Sequence, residues 1–136
     1  AGQRTRKGVD YWALGILTYE LLAGYPPFYD QNTFGIYQKI LECKLGNDSF
    51  PPLFERSARD CVRRLLAPEP SRRLGCLRGG ARDVKRHAWF VGLDFEALAA
   101  RRLTPPVTVE LPGGDGDTSN FEKYEESQRG AGIGGG

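Results

Sequence analysis

A single apolar stretch, residues 9–24, most constrains the fold of this chain. It reads VDYWALGILTYELLAG, and its apolar residues occur on all sides of a helical projection. Asp10 near its start predicts an N-cap, and Gly24 predicts the end of the helix. The stretch is too short for a membrane span, and Asp10 and Glu20 interrupt it. We therefore expect a central helix that is buried on most sides, with other elements packed around it.

A second helix is predicted over about residues 33–44, after the prolines that follow the first helix. Asp30 or Asn32 can serve as its cap. Its apolar residues recur at helical spacing. One face of the helix is formed by Phe34, Tyr37 and Leu41, and Ile36 and Ile40 lie beside that face.

Two more helices are predicted further along the chain. Ser57 opens one, with Asp60 completing a pair like a capping box, and Asp83 can cap a last short helix that runs to Phe90. The helix from Ser57 has the clearer pattern, and its inward residues are Ala58, Cys61, Val62, Leu65 and Leu66. A short helix over residues 94–102 is also possible.

Composition narrows the class of protein. A net charge of +2 and a pI near 8.5 are too mild to indicate a nucleic-acid or anionic-membrane partner. No signal or transit peptide is visible, so a cytoplasmic or nuclear location is expected. The cysteines form no Cys-x-x-Cys pair and His87 is the sole histidine, which favours free thiols over structural zinc. The absence of methionine favours an internal piece of a longer protein.

Five separated motifs follow one another along the chain: VDYWALG (9–15), AGYPPF (23–28), SRRLG (71–75), HAWF (87–90) and GDGDTSNF (114–121). In this order they resemble the C-terminal half of eukaryotic Ser/Thr protein kinases of the AGC group, in the cAMP-dependent branch. The segment FGIYQKIL (34–41) is especially similar to the X-linked relative of the catalytic subunit in that branch. Five motifs in the correct order are far more specific than any one of them.

The resemblance implies a mainly α fold, the helical C-lobe of the protein kinase fold, with a buried central helix, three packed helices and an extended C-terminal tail. Residues 1–90 would belong to the kinase domain and 91–129 to the AGC tail, while 130–136 form a disordered, Gly-rich end. The N-lobe and catalytic loops are absent, so this segment alone is predicted to be inactive. A Gly-x-Gly-x-x-Gly match at Gly130 follows no strand, and we interpret it as false.

The resemblance also implies roles for three charged residues. Asp10 would hold the catalytic loop in place. The simpler interpretation is that it caps the helix. Glu20 would bind an arginine upstream of the phosphorylated residue. The simpler interpretation is a surface ion pair. Arg73 would pair with the glutamate of the absent Ala-Pro-Glu motif, and it is therefore expected to be an unpaired cation in this segment. The simpler interpretation is a solvated basic turn.

Other residues carry weaker implications. Phe121 and Tyr124 would lie near the nucleotide, or simply anchor the tail by packing. Tyr37 would contact the regulatory subunit. His87 is interpreted as a packed side chain because no carboxylate partner is visible for it. The region 45–49 is longer than in close relatives of the family, and no function follows for it.

The sequence thus predicts part of a Ser/Thr kinase that acts on basic protein substrates, with ATP and Mg²⁺ in the full-length protein. The alternative is a non-catalytic interaction module that binds kinase regulators. A nucleic-acid binder is a weak third reading, because the arginine pairs are scattered and no groove-reading motif accompanies them.

Overall fold

The computed structural model describes residues 2–108 and 110, with side chains from residue 6 onward. This part of the chain is helical and contains no strand, which confirms the predicted fold class. The α-helices are α1 (Gly2–Ala23), α2 (Thr33–Glu42), α3 (Arg56–Leu65), α4 (Ala81–Lys85) and α5 (Phe95–Ala99). Three single turns of 3₁₀ helix lie between them, at Asn47–Ser49, Pro70–Arg72 and Ala88–Phe90. None of the described helices is long and apolar enough to cross a membrane.

The central helix differs from its prediction in start and in burial. It begins at Gly2, so Asp10 lies in its interior and is not an N-cap. Gly15 and Tyr19 are buried on one face, but Leu17 remains 53% exposed and Leu21 76% exposed. The expectation of burial on most sides is therefore wrong for the described chain. The physical reason is that the described elements cover only one side of a helix whose apolar residues surround it.

Close packing of α1 on α3 builds that buried face. A Cβ atom added at Gly15 would lie 2.9 Å from Leu65 Cβ and 2.9 Å from Leu66 Cδ2, so only glycine allows this approach. The five predicted inward residues of α3 are all confirmed as buried: Ala58, Cys61, Val62, Leu65 and Leu66.

Two hydrophobic clusters flank α3. The first joins α1 to the loop after α2 and includes Tyr19, Phe28, Phe50, Phe54, Ala58, Val62 and Leu66. The second consists of Cys61, Leu65, Leu74 and Val84. Trp89 packs against both clusters, so the 3₁₀ turn that carries it closes the end of the core. Phe28 is buried in the first cluster.

Helix α2 lies at the edge of the fold. Asn32 is its cap, since its side chain accepts a hydrogen bond from the Phe34 amide at 3.0 Å, and the helix ends at Glu42. Ile36 and Ile40 are partly buried, whereas the face containing Phe34, Tyr37 and Leu41 is exposed by 72%, 63% and 82%. The periodicity identified the helix correctly, but its larger apolar face has no cover among the described residues.

Two predicted caps are wrong, and a third residue caps a helix for which no cap was predicted. The capping box at Asp60 is wrong, because α3 begins at Arg56 and Asp60 bonds to other side chains. Asp83 lies inside α4, which ends at Lys85, and its carboxylate accepts from the Gly79 amide at 3.1 Å. Asp94 caps α5 by accepting from the Ala97 amide at 3.0 Å. The helix predicted from Asp83 to Phe90 is thus two separate turns.

Candidate functional site

Two exposed carboxylates lie on α1, at the positions for which the sequence suggested roles. Asp10 and Glu20 are ten residues apart, about 15 Å along a helix. Neither forms an ion pair with another described residue. Asp10 is exposed, as is Glu20. Both carboxylates are therefore open to groups from outside the described chain.

Glu20 lies in the last turn of α1, where Gly24 ends the helix. The Gly24 amide donates to the Glu20 carbonyl at 2.8 Å, and Gly24 adopts a φ of +82°, which favours glycine. The chain then turns into Tyr25, which packs edge-on against the Tyr19 ring with centroids 6.0 Å apart. The segment of residues 25–29 that follows α1 thus carries two exposed aromatic side chains, Tyr25 and Tyr29, and one buried one, Phe28.

That segment borders an open cavity of about 600 Å³ between the end of α1 and the end of α2. The cavity is lined by Tyr19, Tyr25, Pro26, Pro27, Phe28, Tyr29, Lys39, Glu42, Lys44, Asp48 and Ser49. Burial raises the pKa of Tyr19 to about 12, with a further contribution from Tyr25, so the Tyr19 hydroxyl stays protonated at neutral pH. Its hydroxyl donates to the Ser49 carbonyl at 2.5 Å. The cavity therefore has an aromatic wall and a rim of charged side chains.

Arg73 is the buried cation of the structure, at 8% exposure. Its Nε donates to the Ala67 carbonyl at 2.9 Å, Nη1 to Gly8 at 2.8 Å and Nη2 to Pro68 at 3.0 Å. No carboxylate of the described residues forms an ion pair with it. Three carbonyls satisfy much of the guanidinium and join α1 to the loop after α3.

A second polar link was missed by the sequence reasoning. His87 Nδ1 accepts from the Trp89 amide at 3.1 Å, so Nε2 carries the proton and donates to Asp60 Oδ2 at 2.7 Å. Arg64 also donates to that oxygen, at 2.8 Å. Partial burial opposes the charge of Asp60, but these two hydrogen bonds lower its pKa below the usual value. His87 is packed as predicted, but the statement that it has no carboxylate partner is wrong.

The remaining predicted positions are dispersed or undescribed. Tyr37 lies on the exposed face of α2, which is separate from the buried face of α1. Phe121 and Tyr124 lie outside the described residues. Within the described ranges, no three His, Cys, Asp or Glu side chains come together as a metal site requires. The cysteines Cys43, Cys61 and Cys76 are all free, as predicted.

The helical fold and these motif positions agree with the family comparison. Residues 1–90 match the family model of the protein kinase domain. The chain therefore belongs to the protein kinase family.

Individual relatives indicate the branch. The chain is 50% identical over 122 residues to the cAMP-dependent protein kinase catalytic subunit PRKX of Mus musculus. It is also 50% identical over 122 residues to the cAMP-dependent protein kinase catalytic subunit of Dictyostelium discoideum, and 43% identical over 127 residues to cAMP-dependent protein kinase type 3 of Saccharomyces cerevisiae. The resemblance inferred from the five motifs is thereby confirmed.

These matches cover most of this chain but a minority of each relative. The match to the mouse protein covers 90% of this chain and 33% of the mouse protein. The match to the Dictyostelium protein covers 90% of this chain and 18% of that protein, and the match to the yeast protein covers 93% of this chain and 31% of that protein. The chain thus spans about a third or less of the length of these relatives.

Proposed function

We propose that this chain is the helical, substrate-binding part of a cAMP-dependent-type Ser/Thr protein kinase. In the longer protein, the kinase would transfer the γ-phosphate of ATP to Ser or Thr in basic peptide contexts. The observation that carries the proposal is Glu20, an exposed carboxylate with no ion-pair partner in the described chain, on the helix whose Tyr19 lines an aromatic-walled cavity. The similarity to cAMP-dependent kinases supports the reaction class.

The proposed role of Glu20 is to bind a substrate arginine. A carboxylate can accept two parallel N–H bonds from a guanidinium, a geometry that a lysine ammonium cannot reproduce. Glu20 is attached to the longest described helix, so its backbone is held in place while its side chain stays exposed. An arginine fixed there would orient the peptide for a phosphate donor held elsewhere in the protein.

Asp10 and Arg73 are proposed to support the catalytic loop and the activation segment of the longer protein. Arg73 has five N–H groups, and three of them donate to the carbonyls described above. One N–H on each Nη has no assigned partner among the described residues, which suits a carboxylate that accepts from both. Asp10 projects from the same helix that Arg73 anchors through the Gly8 carbonyl.

ATP and Mg²⁺ belong in this proposal to the longer protein. The described residues do not fit a Mg²⁺ site, because they bring no cluster of metal-binding side chains together. Phe121 and Tyr124 are proposed as nucleotide contacts from the family resemblance, and Tyr37 as a contact for a regulatory subunit.

The exposed face of α2 favours the second candidate, a non-catalytic module that binds kinase regulators. Phe34, Tyr37 and Leu41 present a row of apolar side chains to solvent, and exposed apolar patches of this kind commonly mark protein interfaces. This face would serve a regulator whether or not phosphate is transferred.

A chimera separates the two candidates. Residues 1–136 replace the matching third of mouse PRKX, and transfer of radiolabelled phosphate to an arginine-containing peptide is measured. We expect transfer by the chimera and none by the isolated chain. Glu20→Gln in the chimera should raise the KM for the peptide by about tenfold or more and leave the KM for ATP unchanged. A folded chimera without activity would favour the regulator-binding module, and equal losses for peptide and ATP would contradict the role of Glu20.

A further inference from the structure

The loop after α2 is fixed by contacts that the proposed function does not use. Arg63 on α3 donates from Nε to the Leu45 carbonyl at 3.0 Å and from Nη2 to Asn47 Oδ1 at 2.8 Å. Its guanidinium carbon also lies 4.9 Å from the centroid of the Phe50 ring. One arginine therefore contacts the beginning and the middle of the region 45–49, for which the sequence suggested no function, and also the residue directly after it.

A second anchor fixes the same loop from α1. The buried Tyr19 donates its hydroxyl to the Ser49 carbonyl, on the opposite side of Asp48 from the Asn47 contact. Asp48 thus lies between two tethered neighbours and is itself exposed at the rim of the cavity. A carboxylate on a restrained loop loses less conformational freedom on binding a ligand than one on a free loop.

The charges around the cavity leave the carboxylate of Asp48 unmatched. Lys39 lies 3.1 Å from Asp30, and Lys44 lies 3.4 Å from Glu42, so both lysines of the lining already have partners. Asp48 forms no ion pair with any described residue.

Two further features favour a positively charged ligand. Glu42 is the last residue of α2, so the negative end of that helix dipole lies at the rim. Tyr25 and Tyr29 line the cavity and are 51% and 64% exposed, which makes their rings available to a cation or to the alkyl stem that carries it.

We propose that Asp48, with Tyr25 and Tyr29, forms a second cation subsite that binds an arginine or lysine side chain of the peptide, at a position other than the one bound by Glu20. This inference rests on the proposed function and adds a specificity-determining residue to it. The two carboxylates are on different elements, Glu20 on α1 and Asp48 on the anchored loop, so each basic residue of the peptide would be bound by a separate element of the fold.

The test is peptide binding to the full 136-residue chain, measured by fluorescence anisotropy. One labelled peptide carries a single arginine, and a matched set carries a second arginine moved one position at a time along the sequence. The wild-type chain should bind at least one dibasic peptide about three- to tenfold more tightly than the monobasic peptide. Asp48→Asn, which is isosteric and exposed, should remove that gain without weakening the monobasic peptide.

Two variants make the outcome specific. Glu96→Gln, an exposed charge loss on α5, is the control and should retain the gain. Glu20→Gln should weaken both peptide classes while the gain from the second arginine persists. A gain that survives Asp48→Asn, or a wild-type chain that shows no gain with any spacing, overturns the subsite and leaves the role of Glu20 intact. Conversely, peptide binding that is unchanged after Glu20→Gln contradicts the proposed function. In that case, an Asp48→Asn variant that loses the tighter binding of the dibasic peptide still supports the subsite.

Discussion

Replacing each of two glycines of α1 by alanine should change stability in opposite directions. Both Gly8 and Gly15 are helical and buried, so alanine would remove the same helix penalty of about 1 kcal/mol at each position. Their surroundings differ. An added Cβ at Gly8 would meet its nearest atom, Arg73 Nη1, at 3.5 Å, an ordinary contact. At Gly15 it would lie 2.9 Å from Leu65 Cβ, which is too close.

The magnitudes follow from these distances. Gly8→Ala should stabilise the chain by about 0.5–1 kcal/mol, because the propensity gain is unopposed. Gly15→Ala must push α1 away from α3, and such overpacking costs about 1–3 kcal/mol, which exceeds the gain. The two variants should therefore differ by about 2 kcal/mol, or about 1 M in the urea midpoint at the slope usual for small proteins.

Urea unfolding followed by circular dichroism at 222 nm measures the difference directly. Each variant is compared with wild type, and equal slopes are required so that the midpoints report stability. A Gly15→Ala variant as stable as Gly8→Ala would refute the close approach of α1 to α3, and with it the packing on which the buried face of α1 depends.

Three further predictions concern polar contacts. Arg73→Met should destabilise the chain by about 2–4 kcal/mol in urea unfolding, because three carbonyls lose a charged donor; a loss below 0.5 kcal/mol would contradict their importance. Tyr19→Phe should cost about 1 kcal/mol at pH 7 through its lost hydroxyl bond. Since the folded-state pKa of Tyr19 is raised from 10.0 to about 12, its contribution is fully present below pH 10 and lost between pH 10 and 12, so the two proteins should converge in stability there. The pKa of Asp60 is lowered from 3.8, so its contribution is present above that pH and lost as the pH falls further; Asp60→Asn should flatten the acid side of the stability profile, and an unchanged profile would count against the contact with His87.

The sequence was most informative where one local pattern decides the structure. The inward residues of α3 recur at helical spacing, and all of them are buried because α1 and the second cluster cover that side. Asn32 was recognised as one of two candidate caps of α2 because a cap acts on amides two or three residues away. The order of the five motifs identified the family for a similar reason, because motif order can be read from the sequence without knowing which residues are in contact.

Contacts between distant parts of the chain could not be predicted in this way. Arg73 bonds to Gly8, 65 residues earlier, and His87 bonds to Asp60 across 27 residues. Asp60 illustrates the difficulty: its spacing from Ser57 suits a capping box, yet its carboxylate is used by Arg64 and His87. A local rule offered one use for the carboxylate, and the tertiary fold supplied two stronger partners.

The exposed side of α1 connects the wrong prediction with the proposed function. Its pattern of apolar residues was read as burial on most sides, while Val9, Leu17 and Leu21 are 60%, 53% and 76% exposed. Among the described residues no buried polar side chain lacks a hydrogen-bond partner, so the fold is otherwise well satisfied. Large apolar side chains along one side of such a helix are best explained by a partner surface that the described residues do not provide. The relatives, of which this chain covers about a third or less, offer a source for that surface, and under the proposed function it is the remainder of a kinase domain, with Asp10 at its boundary.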